Sequence, residues 1–261
     1  MTGTEEFAVT GTASGFDPEA EAGALAAALR ELGAPERAEG AKRYLKSDLA
    51  FLGTTVAAVR QAATSLRRRW PRLPRDDLLA LVDRLWSRDV FELRLAAVEL
   101  LQGYHDRLSP AELEPLETLL RDCRTWALVD PLAIKVAGEL VVRHPDAAVA
   151  LDRWAVDGDF WLRRSALLAL IPGVRDGHPD LARLDRYGET MLTEKEFFIR
   201  KAIGWVLREL VRTDPAFVTR WVAARTDRIS GVSLREAVRH LPAADRERLL
   251  DAYRRRVRAT R

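Results

Sequence analysis

The sequence predicts an all-α protein, a repeating solenoid of short antiparallel helix pairs, and three observations predict it. Apolar residues recur at the helical period almost from end to end. Caps and prolines cut that pattern into many short elements. A five-residue motif then returns about every 40 residues, the length of a helix pair with its turns.

The elements follow from their punctuation. Residues 1–16 are small and polar and predict a flexible amino-terminal arm, leaving residues 17–261 as a single domain. Asp17-Pro18 opens the first helix, which Gly33 can close. Pro71, Pro74, Pro145, Pro172 and Pro179 stand between periodic stretches, where a proline begins or ends a helix. Ser109-Pro110-Ala111-Glu112 reads as a capping box, Thr193 with Glu196 and Ser233 with Glu236 carry the same start signal, and Asp214-Pro215 opens a further helix. Arg254-Arg255-Arg256, Arg258 and Arg261 read as a solvated helix end, favoured by the helix dipole.

The chain of 261 residues, 48% hydrophobic with 7 Trp and 8 Phe, has ample material for a core. Its one cysteine, Cys123, excludes an internal disulfide and a thiolate metal cluster. No apolar run approaches a membrane span, and Glu5 and Glu6 stand where a signal peptide would be basic, which predicts a cytoplasmic protein. The net charge of +3 conceals an asymmetry: residues 1–40 hold 8 acidic and 2 basic side chains, the remainder 31 acidic and 40 basic. A basic body suits a polyanionic partner, because each phosphate neutralised by Arg or Lys releases counterions.

The recurring motif reads Leu93-Arg94-Leu95-Ala96-Ala97, Leu162-Arg163-Arg164-Ser165-Ala166, Ile199-Arg200-Lys201-Ala202-Ile203 and Leu234-Arg235-Glu236-Ala237-Val238, with a degenerate copy at Ile134-Lys135-Val136-Ala137-Gly138. A branched apolar residue, an arginine and then small residues resemble the second helix of HEAT-type repeats. Stacked, such helices line one concave face, here expected to be basic and to hold whatever is functional.

Phosphate-cradling glycine loops, a dinucleotide fingerprint and a nucleophile elbow are missing, and His105, His144, His178 and His240 follow no metal-ligand spacing. Neither a metal nor another cofactor is expected. What stands out is aromatic and charged. Trp126 and Asp130 lie at i and i+4, on one helical face. Phe160-Trp161-Leu162-Arg163-Arg164 and the block Phe197 to Glu209, with Trp205 among Lys201 and Arg208, repeat the theme.

These residues resemble the alkylpurine DNA glycosylases of the AlkD family, which are built from HEAT-like repeats. The likeness runs from Tyr44 to about His240, through Tyr44-Leu45-Lys46, Phe51-Leu52-Gly53, Leu85-Trp86, Trp126 with Val129-Asp130, Trp161-Leu162 with Arg164, and Lys195 to Glu209. The resemblance implies that Asp130 is the catalytic aspartate, Trp126 and Trp205 the active-site aromatics, and Arg164 an arginine reaching the DNA backbone. Two departures stand out: Thr125 replaces a common second tryptophan, and Thr54-Thr55-Val56-Ala57 replaces a Gln-Thr-Pro-type turn.

The implied activity is that of a monofunctional DNA glycosylase, hydrolysing the N-glycosidic bond of positively charged N3- and N7-alkylated purines in double-stranded DNA during base excision repair. No second subunit is required. Lyase chemistry is disfavoured, because Lys135 stands about one and a half turns from Asp130. Tyr44, Arg163, Lys201, Arg208 and Arg235, on or beside the repeat motif, are the expected nucleic-acid contacts. Two other readings are a HEAT-like DNA-binding protein without catalysis and a protein–protein scaffold.

Overall fold

Asp17 starts the first helix as its Asp-Pro pair predicts, its carboxylate accepting the backbone N–H of Glu19 at 2.9 Å. The computed structural model describes residues 15–259, so the expected arm over residues 1–16 lies, but for Gly15 and Phe16, outside the described residues, as does Arg261. Every element among the described residues is helical apart from an isolated parallel bridge between Ala50 and Val90. None of these helices is long and apolar enough to cross a membrane. The chain divides into two compact units, one within residues 1–108 and the other within residues 109–261.

The first unit contains α1 (Pro18–Glu31), α2 (Pro35–Leu45), α3 (Val56–Arg69), α4 (Arg75–Trp86) and α5 (Phe91–Gly103). Leucines at helical spacing on α1, α4 and α5 fill its core, and Phe16 meets Trp70 edge-on at 5.1 Å. The Phe51-Leu52-Gly53 turn is pinned from two sides. Glu92, buried on α5, accepts the backbone N–H groups of Leu52 at 2.9 Å and Gly53 at 2.8 Å. Arg37 donates to the Gly53 carbonyl at 2.7 Å. Gly53 has φ 75°, and a Cβ there would lie 2.1 Å from the Ala34 carbonyl oxygen, so only glycine fits. The Thr54-Thr55 pair is used locally: Thr54 donates to the Leu29 carbonyl at 2.6 Å, and Thr55 caps α3.

The second unit contains α6 (Leu113–Arg121), α7 (Trp126–Pro131), α8 (Glu139–Arg143), α9 (Val149–Trp154), α10 (Phe160–Leu168), α11 (Ile171–Arg175), α12 (Leu181–Thr190), α13 (Phe197–Leu210), α14 (Pro215–Ala223), α15 (Gly231–Ala237) and α16 (Ala243–Ala259). Helix α10 packs against α7, and α13 packs against both α10 and α15. The Ser109 capping box forms and Asp214 caps α14, as their sequences predict. Two start signals are used differently. Glu196 itself, not Thr193, caps α13, and Ser230 caps α15, one turn ahead of Ser233. The cause is the same in both: a carboxylate or hydroxyl immediately before the first helical residue reaches the unpaired N–H groups, whereas one further away does not. Cys123 is fully buried, and Arg254, Arg255 and Arg258 are exposed at the end of α16.

Between α7 and α8 the chain stays helical but widens to a π-helical stretch, Leu132–Gly138. Pro131 has no N–H to return to the Ala127 carbonyl, so the i to i−4 ladder is broken immediately after Asp130. Gly138 closes the stretch where a Cβ would lie 2.8 Å from the Ala169 carbonyl oxygen.

Helix α13 meets α15 at Gly204, where a Cβ would lie 2.5 Å from the Glu236 Cβ and 2.8 Å from the Ser233 carbonyl oxygen. Gly204→Ala should therefore lower stability by about 1–3 kcal/mol through overpacking, although alanine is about 1 kcal/mol the better helix former. A denaturant titration checks this, and a stabilised variant would mean that the two helices separate freely.

Candidate functional site

Asp130 ends the regular part of α7, and the broken ladder after it sets its aspect. Thr125 caps the helix, accepting the Ala127 N–H at 3.4 Å, and Trp126 precedes Asp130 by one turn on the same face. Trp126 is half-buried, and Asp130 is 8% exposed. A carboxylate this deep requires a partner. Arg164 on α10 supplies it, with Nε 2.8 Å from Oδ1 and Nη2 2.9 Å from Oδ2. The fork is bidentate, the strongest geometry available to the two groups.

Arg164 is itself 4% exposed and is fixed on a third helix. Its Nη1 donates to the Phe198 carbonyl at 2.5 Å, and its guanidinium lies 5.8 Å from the Phe198 ring centroid. The expected active-site arginine thus lies alongside the expected aspartate, with three donors committed within the protein. Phe198 also joins an aromatic group with Trp161 at 5.0 Å and with Phe197 at 5.6 Å, and Phe197 is exposed.

Burial pushes the Asp130 carboxyl above its ordinary value, while the hydrogen bonds and charge of Arg164 pull it back. The carboxylate is therefore poorly solvated and strongly oriented, the condition in which a fixed charge acts most effectively on a nearby cation.

Along α13 the residues Phe198, Lys201, Trp205 and Arg208 are spaced 3, 4 and 3 apart and share a face. Trp205 is half-buried, its indole N–H donating to Glu209 at 2.9 Å, and the Arg208 guanidinium lies 5.9 Å from the Trp205 ring. Burial raises the Glu209 carboxyl, but Arg175 and the Trp205 N–H hold it below its ordinary value. Burial, reinforced by the charges of Arg208, Arg164 and Arg239, pushes the Lys201 ammonium down. Lys201 thus connects electrostatically to the Asp130 partner.

The other expected contacts differ in kind. Arg163, next to Arg164, is committed to the scaffold: it donates to the Asp157 and Gly158 carbonyls at 2.6 and 2.9 Å and bridges to Glu194 at 2.9 Å. Arg235 is exposed on α15, and Tyr44 is exposed on α2 of the first unit. Sequence reasoning gave no site role to Phe198, Glu236 or Arg239. Phe198 acts through its backbone, which no side-chain pattern reveals. Pro131, directly after Asp130, was a readable sign of a disturbed helix.

An all-helical fold with a buried, arginine-clamped aspartate between tryptophan-bearing helices defines a class of protein rather than a single activity. The model of the DNA alkylation repair enzyme family matches residues 25–241, most of the chain, and the protein belongs to that family. Its role accordingly lies in DNA alkylation repair. Among solved structures, a chain described as a predicted DNA alkylation repair enzyme from Enterococcus faecalis superposes with a TM-score of 0.74 at 23% identity, covering 81% of this chain and 97% of that one. At that identity the likeness concerns the fold. No curated protein matches the sequence.

Arg164→Ala should cost about 3–5 kcal/mol, because it leaves the Asp130 carboxylate buried without its partner. Asp130→Asn, which keeps an acceptor for the guanidinium, should cost less. Unfolding midpoints of the two variants at neutral pH check the order, and equal losses would mean that water reaches the pair.

Proposed function

We propose that the protein is a monofunctional DNA glycosylase that hydrolyses the N-glycosidic bond of positively charged N3- and N7-alkylated purines in double-stranded DNA. The observation that carries this reading is the buried Asp130 carboxylate, held in one orientation by Arg164 and one turn from Trp126.

The chemistry needs little else. An alkylated purine already bears positive charge, so when the bond from sugar C1′ to the base breaks, the electron pair leaves with the purine and the base departs neutral. No general acid is required. The sugar is left as an oxocarbenium ion, and a water attacks C1′ and sheds a proton. Asp130 opposes the developing positive charge and, through a lone pair that Arg164 does not occupy, orients the water. Trp126 and Trp205 offer ring faces to the cationic base or sugar.

Arg164 then has one demonstrable task, holding the carboxylate, and its two remaining N–H bonds are the ones that would serve the DNA backbone. Lys201, Arg208, Arg235 and Tyr44 are the phosphate contacts of this reading, and Arg163 supports it as part of the scaffold. The protein acts on DNA in the cytoplasm, as a monomer and without a cofactor.

Asp130→Asn should bind alkylated duplex within a few-fold of the parent yet release 7-methylguanine and 3-methyladenine at least about 100-fold more slowly. Equal release by both proteins removes Asp130 from the mechanism. No release by either, with salt-sensitive binding retained, leaves a DNA-binding protein without catalysis.

A second expectation concerns pH. Only the ionised carboxylate opposes a cation, and burial raises the Asp130 pKa. Base release should therefore fall as pH drops through a value above the usual carboxylate range. Because Arg164 lowers that value, Arg164→Lys, with a weaker grip, should move the acid limb to higher pH. A pH–rate profile that is flat through this range for the parent would contradict the role of Asp130.

A further inference from the structure

Glu236 is not part of a helix start. Ser230 caps α15, and Ser233 donates its hydroxyl to the Arg200 carbonyl at 2.9 Å instead of serving the α15 amino terminus. The Glu236 carboxylate turns to α13, accepting Lys201 Nζ at 2.6 Å and pairing with Arg208. It thereby holds the two cations that flank Trp205.

The surroundings are electropositive. Lys201 senses the charges of Arg208, Arg164 and Arg239, and Arg208 senses that of Arg239. Arg175 adds a fifth cation near Arg208; against the five stand Asp130, occupied by Arg164, Glu209, which accepts Arg175 and the Trp205 indole and lies 3.9 Å from Arg208, and Glu236. Exposure is graded: the Glu236 side chain is 11% exposed and that of Lys201 41%, so the lysine is the member of the pair more open to an incoming anion. A carboxylate presenting two oxygens to two cations matches the two non-bridging oxygens of a phosphodiester.

We propose that Glu236 is an internal substitute for a DNA phosphate, occupying Lys201 and Arg208 in the unbound protein and yielding them to the backbone only when an alkylated site is seated at Trp205 and Asp130. This rests on the glycosylase reading and adds a specificity-determining residue to it. Undamaged duplex would exchange one anion for another and gain little. A cationic lesion adds its own attraction to Asp130 and the tryptophan faces, and that difference drives the exchange. Discrimination of this kind comes from a repulsive element against the wrong ligand as much as from contacts with the right one.

Glu236→Gln tests this, because glutamine removes the charge and keeps one carbonyl oxygen, an acceptor for one of the two cations in place of the pair of oxygens that holds both. Binding is measured by fluorescence anisotropy over a range of salt concentrations. The probes are an undamaged duplex and one carrying a single 7-methyl-2′-deoxyguanosine stabilised by 2′-fluorination. E236Q should bind undamaged duplex about 10-fold more tightly and gain less on the lesion, narrowing the preference. Its log K against log salt should steepen by about 0.9 for each phosphate newly neutralised. Adding Lys201→Met should cancel the gain, and Glu236→Asp, which keeps the charge, should stay near the parent slope.

A merely structural Glu236 would instead lower the thermal midpoint of E236Q and leave affinity and slope unchanged. That result overturns the inference and spares the glycosylase reading. Failure of both parent and E236Q to bind either duplex would overturn both.

Discussion

Two charges taken out of water must find each other and then satisfy their remaining donors, and Asp130 and Arg164 do so across three helices. The carboxylate belongs to α7, the guanidinium to α10 and the carbonyl that completes its bonding to α13. Each buried ion costs several kcal/mol to desolvate, recovered only when the geometry is good. The relative placement of these helices is therefore tied to one pair of side chains. A shift that opened either hydrogen bond would leave a charge stranded.

The pair is also one member of a series. Arg163 meets Glu194, Arg175 meets Glu209, Lys201 meets Glu236, Arg121 meets Asp157 and Arg225 meets Glu189, at sequence separations of 31 to 36. Asp130 and Arg164 are 34 apart and fall in the same series. Each link joins segments one helix or more apart in the chain. The exposed links are worth little individually, since solvent screens them. Asp130–Arg164 differs by being buried: the low local dielectric strengthens the field of the carboxylate and keeps water from rearranging around it, the property on which the proposed function draws.

Much of this was legible in the sequence, for reasons that can be named. Helical content followed from periodicity, and Asp17, Ser109 and Asp214 announced their helices because a short polar side chain next to a proline leaves few other conformations. Trp126 and Asp130 could be singled out from their types and spacing, whereas the choice of Arg164 over Arg163, and of Trp205, came from the family resemblance. Pairing was not legible. That Arg164 would clamp Asp130, or that Glu236 would leave its apparent capping role for Lys201 and Arg208, depends on which helices are neighbours. Spacing of three residues between Ser233 and Glu236 fits a capping box equally well, and only the position of Ser230 decides against it.

The adjacent arginines show how finely such roles divide. Consecutive residues on a helix point about 100° apart, so Arg163 and Arg164 cannot serve one surface. Arg163 turns back to the carbonyls of the preceding loop, six and five residues earlier, as Arg200 does to the Glu194 carbonyl at 2.7 Å. Arg94 likewise reaches back to the Trp86 carbonyl at 3.1 Å. In these three copies the recurring arginine is a structural device, satisfying backbone carbonyls just ahead of the helix that carries it. Arg164, which the repeat does not require, is the one free to be recruited, and it faces the aspartate. On the proposed reading, the chemistry falls to the residue beside the recurring arginine, whose donors the loop carbonyls leave available for the aspartate.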